Sequence, residues 1–161
     1  MTRLSVNVNK VATLRNARGA NNPNLVEVVR DCEKYGAEGI TVHPRNDERH
    51  ITLRDVYDIA SVVKTDFNIE GYPDKRFLKI IDDIVPEQVT LVPDPPEVLT
   101  SNRGWKKSDI KIDLKKIIKH IQSLGSKVVI FIDPEKEMLD NKIFFNCQKT
   151  VSIIKSHRDF T

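Results

Sequence analysis

The stretch that decides the fold is residues 36–63, GAEGITVHPRNDERHITLRDVYDIASVV. It begins at a glycine and continues into a short β-branched run, residues 39–43, which is typical of a strand. A polar turn follows, and Thr52 then has the position and the side chain of a helix N-cap. The apolar residues after Thr52 recur at helical spacing as far as Val63. One strand–turn–helix unit is therefore predicted here.

The same unit repeats on both sides of this stretch. The predicted strands are residues 4–8, 39–43, 67–70, 88–92 and 127–132, and the predicted helices are 24–36, 52–63, 74–84 and 114–124, with a further helix opening at Asp133-Pro134. No hairpin turn separates successive strands, so we expect a parallel sheet, either doubly wound or closed as a barrel. Periodicity leaves both possibilities open. No GxGxxG follows the first strand and no GxxxxGK[ST] occurs in the chain, which favours the barrel.

The composition excludes several classes of protein. With 161 residues, 39% hydrophobic and 30% charged, the chain is expected to form one ordinary globular domain. Its 26 basic residues are scattered among 23 acidic ones, so nucleic acid is not the expected partner. No secretory h-region and no long apolar run is present, which predicts a cytoplasmic protein without a membrane partner. Cys32 and Cys147 lack a metal-ligand spacing, so no metal site is predicted, and Cys32 is expected to be a core thiol.

Polar residues follow the predicted strands, where a parallel barrel carries its chemistry. They are Asn7, Asn9 and Lys10 after the first strand, His43 and Arg45 after the second, Glu70 on the third and Thr100 in the long loop after the fourth. An imidazole and a carboxylate can exchange protons with a carbonyl substrate near neutral pH. Arginine and amide groups can hold phosphate or hydroxyl oxygens. The set is therefore a candidate active site.

Each of these residues also has a purely structural interpretation. A single strand-end histidine is more often bonded to a backbone carbonyl, but Arg45 and Glu70 at corresponding strand ends favour a functional His43. Glu70 is either paired structurally or used as a base, because an unpaired carboxylate on a buried strand is costly. Residues 15–19, RNARG, form either a solvated basic loop or an anion site with two guanidinium groups. His50 is more often a surface residue than a ligand.

Several long motifs, in matching order and spacing, resemble those of the pyridoxine 5'-phosphate synthase family. They are VNVNKVATLRNARG (6–19), GAEGITVHPR (36–45), DERHI (47–51), NIE (68–70) and VTLVP (89–93) followed by Thr100. Together they cover residues 3 to about 140. The resemblance implies a (β/α) TIM-barrel fold and a homo-oligomer for intact members.

The resemblance also implies a reaction and a set of residue roles. The reaction condenses 3-amino-2-oxopropyl phosphate with 1-deoxy-D-xylulose 5-phosphate to pyridoxine 5'-phosphate, phosphate and water, with no cofactor or metal. His43 and Glu70 are implied as general bases. The implied substrate-binding residues are Asn7 and Arg18 for the aminoketone phosphate, and Asn9, Lys10, Arg45, His50 and Thr100 for the pentulose phosphate. The implied catalytic acid is a histidine beyond the fifth strand, and His157 does not match it.

The extent of the resemblance sets a further expectation. We expect residues 1–161 to form one partial barrel of about five of eight strand–helix units, with residues 1–140 family-like and 141–161 a divergent tail. Residues 151–154 are not expected to supply a strand. Two alternatives stay open: an inactive truncated remnant that at most binds a phosphorylated substrate, and a different barrel enzyme that acts on sugar phosphates.

Overall fold

Helices separate the first five strands along the chain, and two of these helices lie between the first strand and the second. The computed structural model describes residues 3–94, 103–106 and 113–132, and the backbone of 151–153. The strands are β1 (Ser5–Asn7), β2 (Gly39–Val42), β3 (Asp66–Gly71), β4 (Gln88–Leu91), β5 (Lys127–Ile132) and β6 (Val151–Ile153). The helices are α1 (Asn9–Arg18), α2 (Leu25–Lys34), α3 (Leu53–Ala60), α4 (Lys75–Ile84) and α5 (Leu114–Ser123). The five predicted strands and the four helices predicted with both ends are confirmed to within a few residues. The helix predicted to open at Asp133-Pro134 lies outside the described residues.

The order of the strands decides between the two parallel architectures. Every neighbouring pair is parallel, and the order across the sheet is β1-β2-β3-β4-β5-β6, which is also the order along the chain. A doubly wound sheet would reverse its order at a switch point, whereas a (β/α) barrel adds each strand beside the previous one. The predicted incomplete barrel is therefore confirmed. In the described part of the chain, β1 and β6 are the two ends of the sheet and are not paired with each other.

One expectation about the C-terminal segment is wrong. Val151–Ile153 forms β6 and pairs in parallel with Ile130, Phe131 and Ile132 of β5. The physical reason is that β5 would otherwise present a free row of backbone N–H and C=O groups, which any short segment of high β-propensity can satisfy. This pairing uses backbone groups, so it does not require the side chains of a family motif.

A second correction concerns residues 15–19. No helix was predicted for them, and they were interpreted as either a solvated basic loop or an anion site, but α1 continues through Arg18 and ends at Gly19, which has a φ of 76°. The helix was missed because it has little apolar periodicity: Ala12 is its one buried residue. Its C-terminus follows an ordinary rule, since glycine adopts the left-handed conformation at low cost.

The two faces of the sheet differ in character. On one face, strand residues such as Ile40, Ile69 and Val89 form a single buried cluster with apolar residues from the helices. On the other face, polar side chains are linked across four strands. Ser5 Oγ lies 2.8 Å from Thr41 Oγ1, Asn68 Nδ2 donates to Thr41 Oγ1 at 3.2 Å, and Thr90 Oγ1 donates to Asn68 Oδ1 at 2.9 Å. Because side chains alternate along a strand, Glu70 shares this polar face with Asn68.

The helices begin where the sequence indicates. Asn24 caps α2 through its side chain, as expected from its position, and Thr52 forms a reciprocal capping box with Asp55 at the start of α3. Cys32 on α2 packs against the core, and its partial burial raises the pKa of the thiol. None of the helices in the described ranges is both long and apolar enough to cross a membrane.

Candidate active site

Two of the predicted site residues lie next to each other on neighbouring strands. Val42 of β2 pairs with Ile69 of β3, and His43 and Glu70 are the residues that immediately follow this pair. Both lie at the carboxyl ends of their strands, the edge at which parallel barrels carry their active sites. The parallel register therefore brings the imidazole-bearing and the carboxylate-bearing positions together.

His43 is held in place through its backbone and kept neutral by its surroundings. Its backbone N–H donates to Asn9 Oδ1 at 3.0 Å, which joins the end of β2 to the start of α1. Burial, followed by the positive charge of Arg45, lowers the pKa of the imidazole to about 4. The side chain is therefore neutral at pH 7 and has a nitrogen available to accept a proton.

Glu70 is shifted in the opposite direction. Burial raises the pKa of its carboxyl group to about 7, because a carboxylate loses hydration when it is removed from water. An ordinary surface glutamate is fully ionised at neutral pH. Glu70 is instead divided between its acid and base forms, so it can both accept and donate a proton near pH 7.

A pocket opens beside His43. Its lining consists of His43, Pro44, Arg45, Asn46, Gly71, Tyr72, Asp74, Phe77 and Asp94. Arg45 is 7% exposed and places a buried guanidinium group in the pocket wall. Such a group can bind a phosphate or carboxylate oxygen with paired N–H donors. Glu70 is not part of this lining, although its neighbours Gly71 and Tyr72 are.

The wall of the pocket is tied to the start of α4. Asp74 caps α4 by accepting from the Phe77 N–H at 2.8 Å, and its other oxygen accepts from Asn46 Nδ2 at 2.9 Å. Arg76 Nη2 donates to Glu48 at 2.8 Å and its Nη1 donates to the Pro44 carbonyl at 3.1 Å. The turn that follows His43 is thus fixed by contacts with the first turn of a helix.

Four lining residues with polar side chains were missed by sequence reasoning: Asn46, Tyr72, Asp74 and Asp94. Asp94 is 5% exposed and follows β4 and Pro93 at the same edge as His43. The rule that singled out His43 and Glu70, a polar residue just past a strand, would also have found Asp94. It was overlooked because it was assigned to the polar loop beginning at that residue.

His50 is held by a network centred on Arg15. The guanidinium of Arg15 makes a two-point ion pair with Asp55, whose Oδ2 it contacts at 2.8 Å, and also donates to the His50 carbonyl at 3.3 Å. Asn16 Nδ2 donates to the same carbonyl at 2.9 Å. Arg15 is therefore engaged in an ion pair within the protein, whereas Arg18, the other guanidinium group considered for an anion site, is exposed. Burial lowers the pKa of the His50 imidazole, and the positive charge of Arg45 lowers it further.

The other predicted substrate-binding residues in the described part of the chain lie at the end of β1 and along α1. Asn7 Oδ1 accepts from the Asn9 N–H at 2.9 Å, so both asparagines shape the turn between β1 and α1. Lys10 is exposed in the first turn of α1, and Arg18 is exposed at its last residue. None of these four residues lines the pocket beside His43. Thr100 lies outside the described residues.

The chain's one tryptophan lies between the ends of two strands. The Trp105 backbone N–H donates to the Phe131 carbonyl at 2.8 Å, and its indole Nε1 donates to the Leu91 carbonyl at 2.9 Å. Its ring stacks on Tyr72 with centroids 6.0 Å apart. Trp105 is 1% exposed, so this part of the segment between β4 and α5 is anchored to the sheet.

The sequence of this chain is similar to those of a known protein family. The sequence model of a family described as "Pyridoxal phosphate biosynthesis protein PdxJ" matches residues 4–149. The chain belongs to the PdxJ family. Relatives in this family include the pyridoxine 5'-phosphate synthase of Porphyromonas gingivalis, 56% identical over 141 residues that cover 88% of this chain and 58% of the relative. The pyridoxine 5'-phosphate synthase of Cytophaga hutchinsonii is 52% identical over 140 residues, which cover 87% of this chain and 59% of the relative.

Family membership confirms the resemblance drawn from the motifs. The PdxJ match contains His43, Arg45, Glu70 and Asp94, all in its interior. A third relative, the pyridoxine 5'-phosphate synthase of Bacteroides fragilis strain YCH46, is 52% identical over 143 residues. The chain spans somewhat less than three fifths of the length of these PdxJ relatives, 58% and 59% of the first two.

Proposed function

We propose that this chain carries out the reaction of a pyridoxine 5'-phosphate synthase, the name that its relatives bear. The reaction condenses 3-amino-2-oxopropyl phosphate with 1-deoxy-D-xylulose 5-phosphate and releases phosphate and water. The observation that carries the proposal is the strand register that gives His43 and Glu70 adjacent positions at one edge of the sheet, with the pKa of the first lowered to about 4 and that of the second raised to about 7. Ring closure between an amine and a carbonyl compound requires repeated proton transfers, and these two groups are suited to them.

His43 acts as a base in this proposal. A neutral imidazole can take a proton from carbon or nitrogen at pH 7 without first losing one of its own. Its depressed pKa makes it a weak base in water, so the proton transfer needs a site that excludes water and stabilises the developing charge. The nearby positive charge of Arg45 destabilises a protonated His43, so the imidazolium readily gives up the proton that it has accepted.

Glu70 both accepts and returns protons. A pKa of about 7 gives comparable amounts of acid and base forms at neutral pH, which is the optimum for a group that must act in both directions. The dehydration steps need a base at one atom and an acid at the leaving hydroxyl. A carboxyl group on the polar face of the sheet meets that need without a metal ion.

Substrate binding is assigned to the residues around this pair. We propose that Asn7 and Arg18 bind the aminoketone phosphate, and that Asn9, Lys10, Arg45, His50 and Thr100 bind the pentulose phosphate. Buried Arg45 is the best supported, because a guanidinium in a pocket wall can hold a phosphate by two N–H groups. The proposed reaction uses no cofactor and no metal. Assembly into a homo-oligomer and a cytoplasmic location remain predictions.

The test is product formation. Purified chain is supplied with both substrates, and pyridoxine 5'-phosphate and released phosphate are measured together. We expect product from the unaltered chain and a loss of about 10²-fold or more in His43→Asn, since a positioned base contributes about 10² to 10⁴ in rate. Asp58→Asn, an exposed change on α3, is the matched control and should keep full activity.

Two other outcomes have distinct meanings. Binding of either substrate without product would support the alternative of a chain that binds phosphorylated compounds and does not turn them over. Product that is unaffected by His43→Asn would contradict the proposed role of His43. Turnover of an unrelated sugar phosphate in place of these two substrates would instead support a different barrel enzyme.

A further inference from the structure

Buried polar side chains in this protein generally have hydrogen-bond partners. Thr41, Asn68 and Thr90 bond one another, and Ser126 Oγ donates to the Pro86 carbonyl. This agrees with the general rule that polar atoms removed from water are paired. The rule makes any buried exception in a pocket a candidate for binding a ligand.

Asp94 is such an exception. Its side chain is 5% exposed, and among the residues that the structure describes no donor reaches its buried Oδ2 atom. Asp74, a second aspartate in the lining of the same pocket, accepts hydrogen bonds at both oxygens, from Phe77 and from Asn46. The pocket therefore contains one aspartate that is fully used by the fold and one with an oxygen left over.

The position of Asp94 connects this oxygen with the candidate active site. Asp94 lines the same pocket as His43 and Arg45. A carboxylate oxygen that is buried without a donor costs stability in the empty protein. A ligand that brings a donor into the pocket removes that cost, so the site selects for such ligands.

The chemistry of the pocket indicates which donor fits. A carboxylate can accept from a hydroxyl or from an ammonium group. Arg45, in the same pocket wall, is the residue proposed above to bind the pentulose phosphate, and the free hydroxyl groups of that sugar are neutral donors. The same guanidinium attracts a phosphate. A phosphorylated compound with free hydroxyl groups therefore satisfies both residues at once.

We propose that Asp94 Oδ2 accepts a hydrogen bond from a hydroxyl group of the pentulose phosphate and thereby selects this substrate. The inference rests on the proposed function and adds a substrate-contacting residue to it. Asp94 orients the sugar relative to His43, while the fold itself does not depend on its carboxylate.

The experiment compares ligand affinity with stability. Binding of 1-deoxy-D-xylulose 5-phosphate and of inorganic phosphate is measured by calorimetry for the full chain, for Asp94→Asn and for Asp94→Leu, which keeps the branched shape. The melting temperature of each ligand-free protein is measured in parallel. Asp58→Asn again controls for the loss of one negative charge.

The expected results are specific. The dissociation constant for the pentulose phosphate should rise by about 10-fold or more in Asp94→Leu, which loses the acceptor, and by a smaller factor in Asp94→Asn, which keeps a neutral amide oxygen. The dissociation constant for inorganic phosphate should be unchanged or lower. The melting temperature of ligand-free Asp94→Leu should be unchanged or higher, because the oxygen without a donor has been removed, and that of Asp94→Asn should be close to the unaltered value.

The inference and the proposed function fail in different ways. Unchanged pentulose phosphate affinity in both variants, while the unaltered chain binds the sugar, would overturn the role of Asp94 and leave the function standing. A clear fall in both melting temperatures would show that Asp94 is a structural acceptor, which also overturns it. If the unaltered chain binds no pentulose phosphate, the proposed function fails and the inference falls with it.

Discussion

His43 and Glu70 each follow, by one residue, the paired residues Val42 and Ile69 on neighbouring parallel strands, and the pKa values of the two side chains are shifted towards each other's usual range. One physical cause accounts for both shifts. Burial disfavours whichever form is charged, so it lowers the pKa of an imidazole and raises that of a carboxyl group. The strand edge thereby obtains a neutral base and a carboxyl group that is partly protonated at pH 7.

The first prediction concerns the pH dependence of stability. The pKa of Glu70 is raised from 4.5 to about 7, so its contribution to folding is full below about pH 4.5 and is lost as the pH rises towards 7. The pKa of His43 is lowered from 6.5 to about 4, so its contribution is full above about pH 6.5 and is lost as the pH falls towards 4. Between these limits the two trends oppose each other in the unaltered protein.

Single variants should separate the two trends. Relative to the unaltered protein, Glu70→Gln should gain stability as the pH rises from 4.5 to 7, and His43→Asn should gain it as the pH falls from 6.5 to 4. Each change should approach roughly 3 kcal/mol across its window. Urea unfolding at a series of pH values measures both. If the difference in unfolding free energy between each variant and the unaltered protein does not change with pH, the pKa of neither group is shifted in the folded state.

The second prediction concerns the ion pair between α1 and α3. Arg15 and Asp55 are both mostly buried, with side chains 11% exposed. Arg15→Met should cost about 3 kcal/mol of unfolding free energy, because it leaves a buried carboxylate without its counter-charge. Asp55→Asn in the Arg15→Met background should cost much less than Asp55→Asn alone. Denaturant unfolding of the two single variants and the double variant measures the coupling, and strictly additive losses would refute it.

The third prediction concerns Gly71. A Cβ atom at this position would lie 2.3 Å from two ring atoms of Phe77, which is 3% exposed in the core. Gly71→Ala should therefore destabilise the protein by about 1–3 kcal/mol, the usual cost of overpacking. Combining it with Phe77→Leu should recover part of the loss, because the smaller side chain vacates that space. Thermal unfolding of the two single variants and the double variant measures this recovery. If the two losses of stability simply add, the double variant will be the least stable of the three.

The fourth prediction concerns the anchor at Trp105. Replacing it by Phe keeps an aromatic ring over Tyr72 but removes the indole N–H that donates to the Leu91 carbonyl at 2.9 Å. We expect a loss of about 1–3 kcal/mol, since a buried carbonyl is left without its donor. Circular dichroism during urea unfolding measures it. Equal stability of Trp105→Phe and the unaltered chain would mean that the hydrogen bond contributes nothing net.

The sequence predicted the repeated strand–helix units well because their signals are local. Residues 39–43 and Thr52 combine β-branched residues with a capping side chain, and each of these acts within a few residues along the chain. The strand-end rule likewise located His43 and Glu70, because the ends of parallel strands share one edge. These predictions needed no knowledge of which distant residues come into contact.

What the sequence could not predict depends on long-range contacts. The ion pair of Arg15 was not predicted because its partner Asp55 lies 40 positions away in the chain. β6 was missed because its formation depends on the open edge of β5 and not on its own motif. Whether a donor reaches Asp94 Oδ2, which has none among the described residues, likewise depends on how the chain folds, and no local pattern encodes it.

The protonation state of His43, on which the proposed chemistry depends, can be measured by titrating its imidazole with nuclear magnetic resonance. The chain has 4 histidines, and the His43 signal is identified by its absence from the spectrum of His43→Asn. We expect this imidazole to stay neutral through the range in which ordinary histidines protonate and to titrate at a pKa of about 4. Titration near the ordinary value of 6.5 would contradict this expectation, because burial would then not set the protonation state on which the proposed chemistry rests.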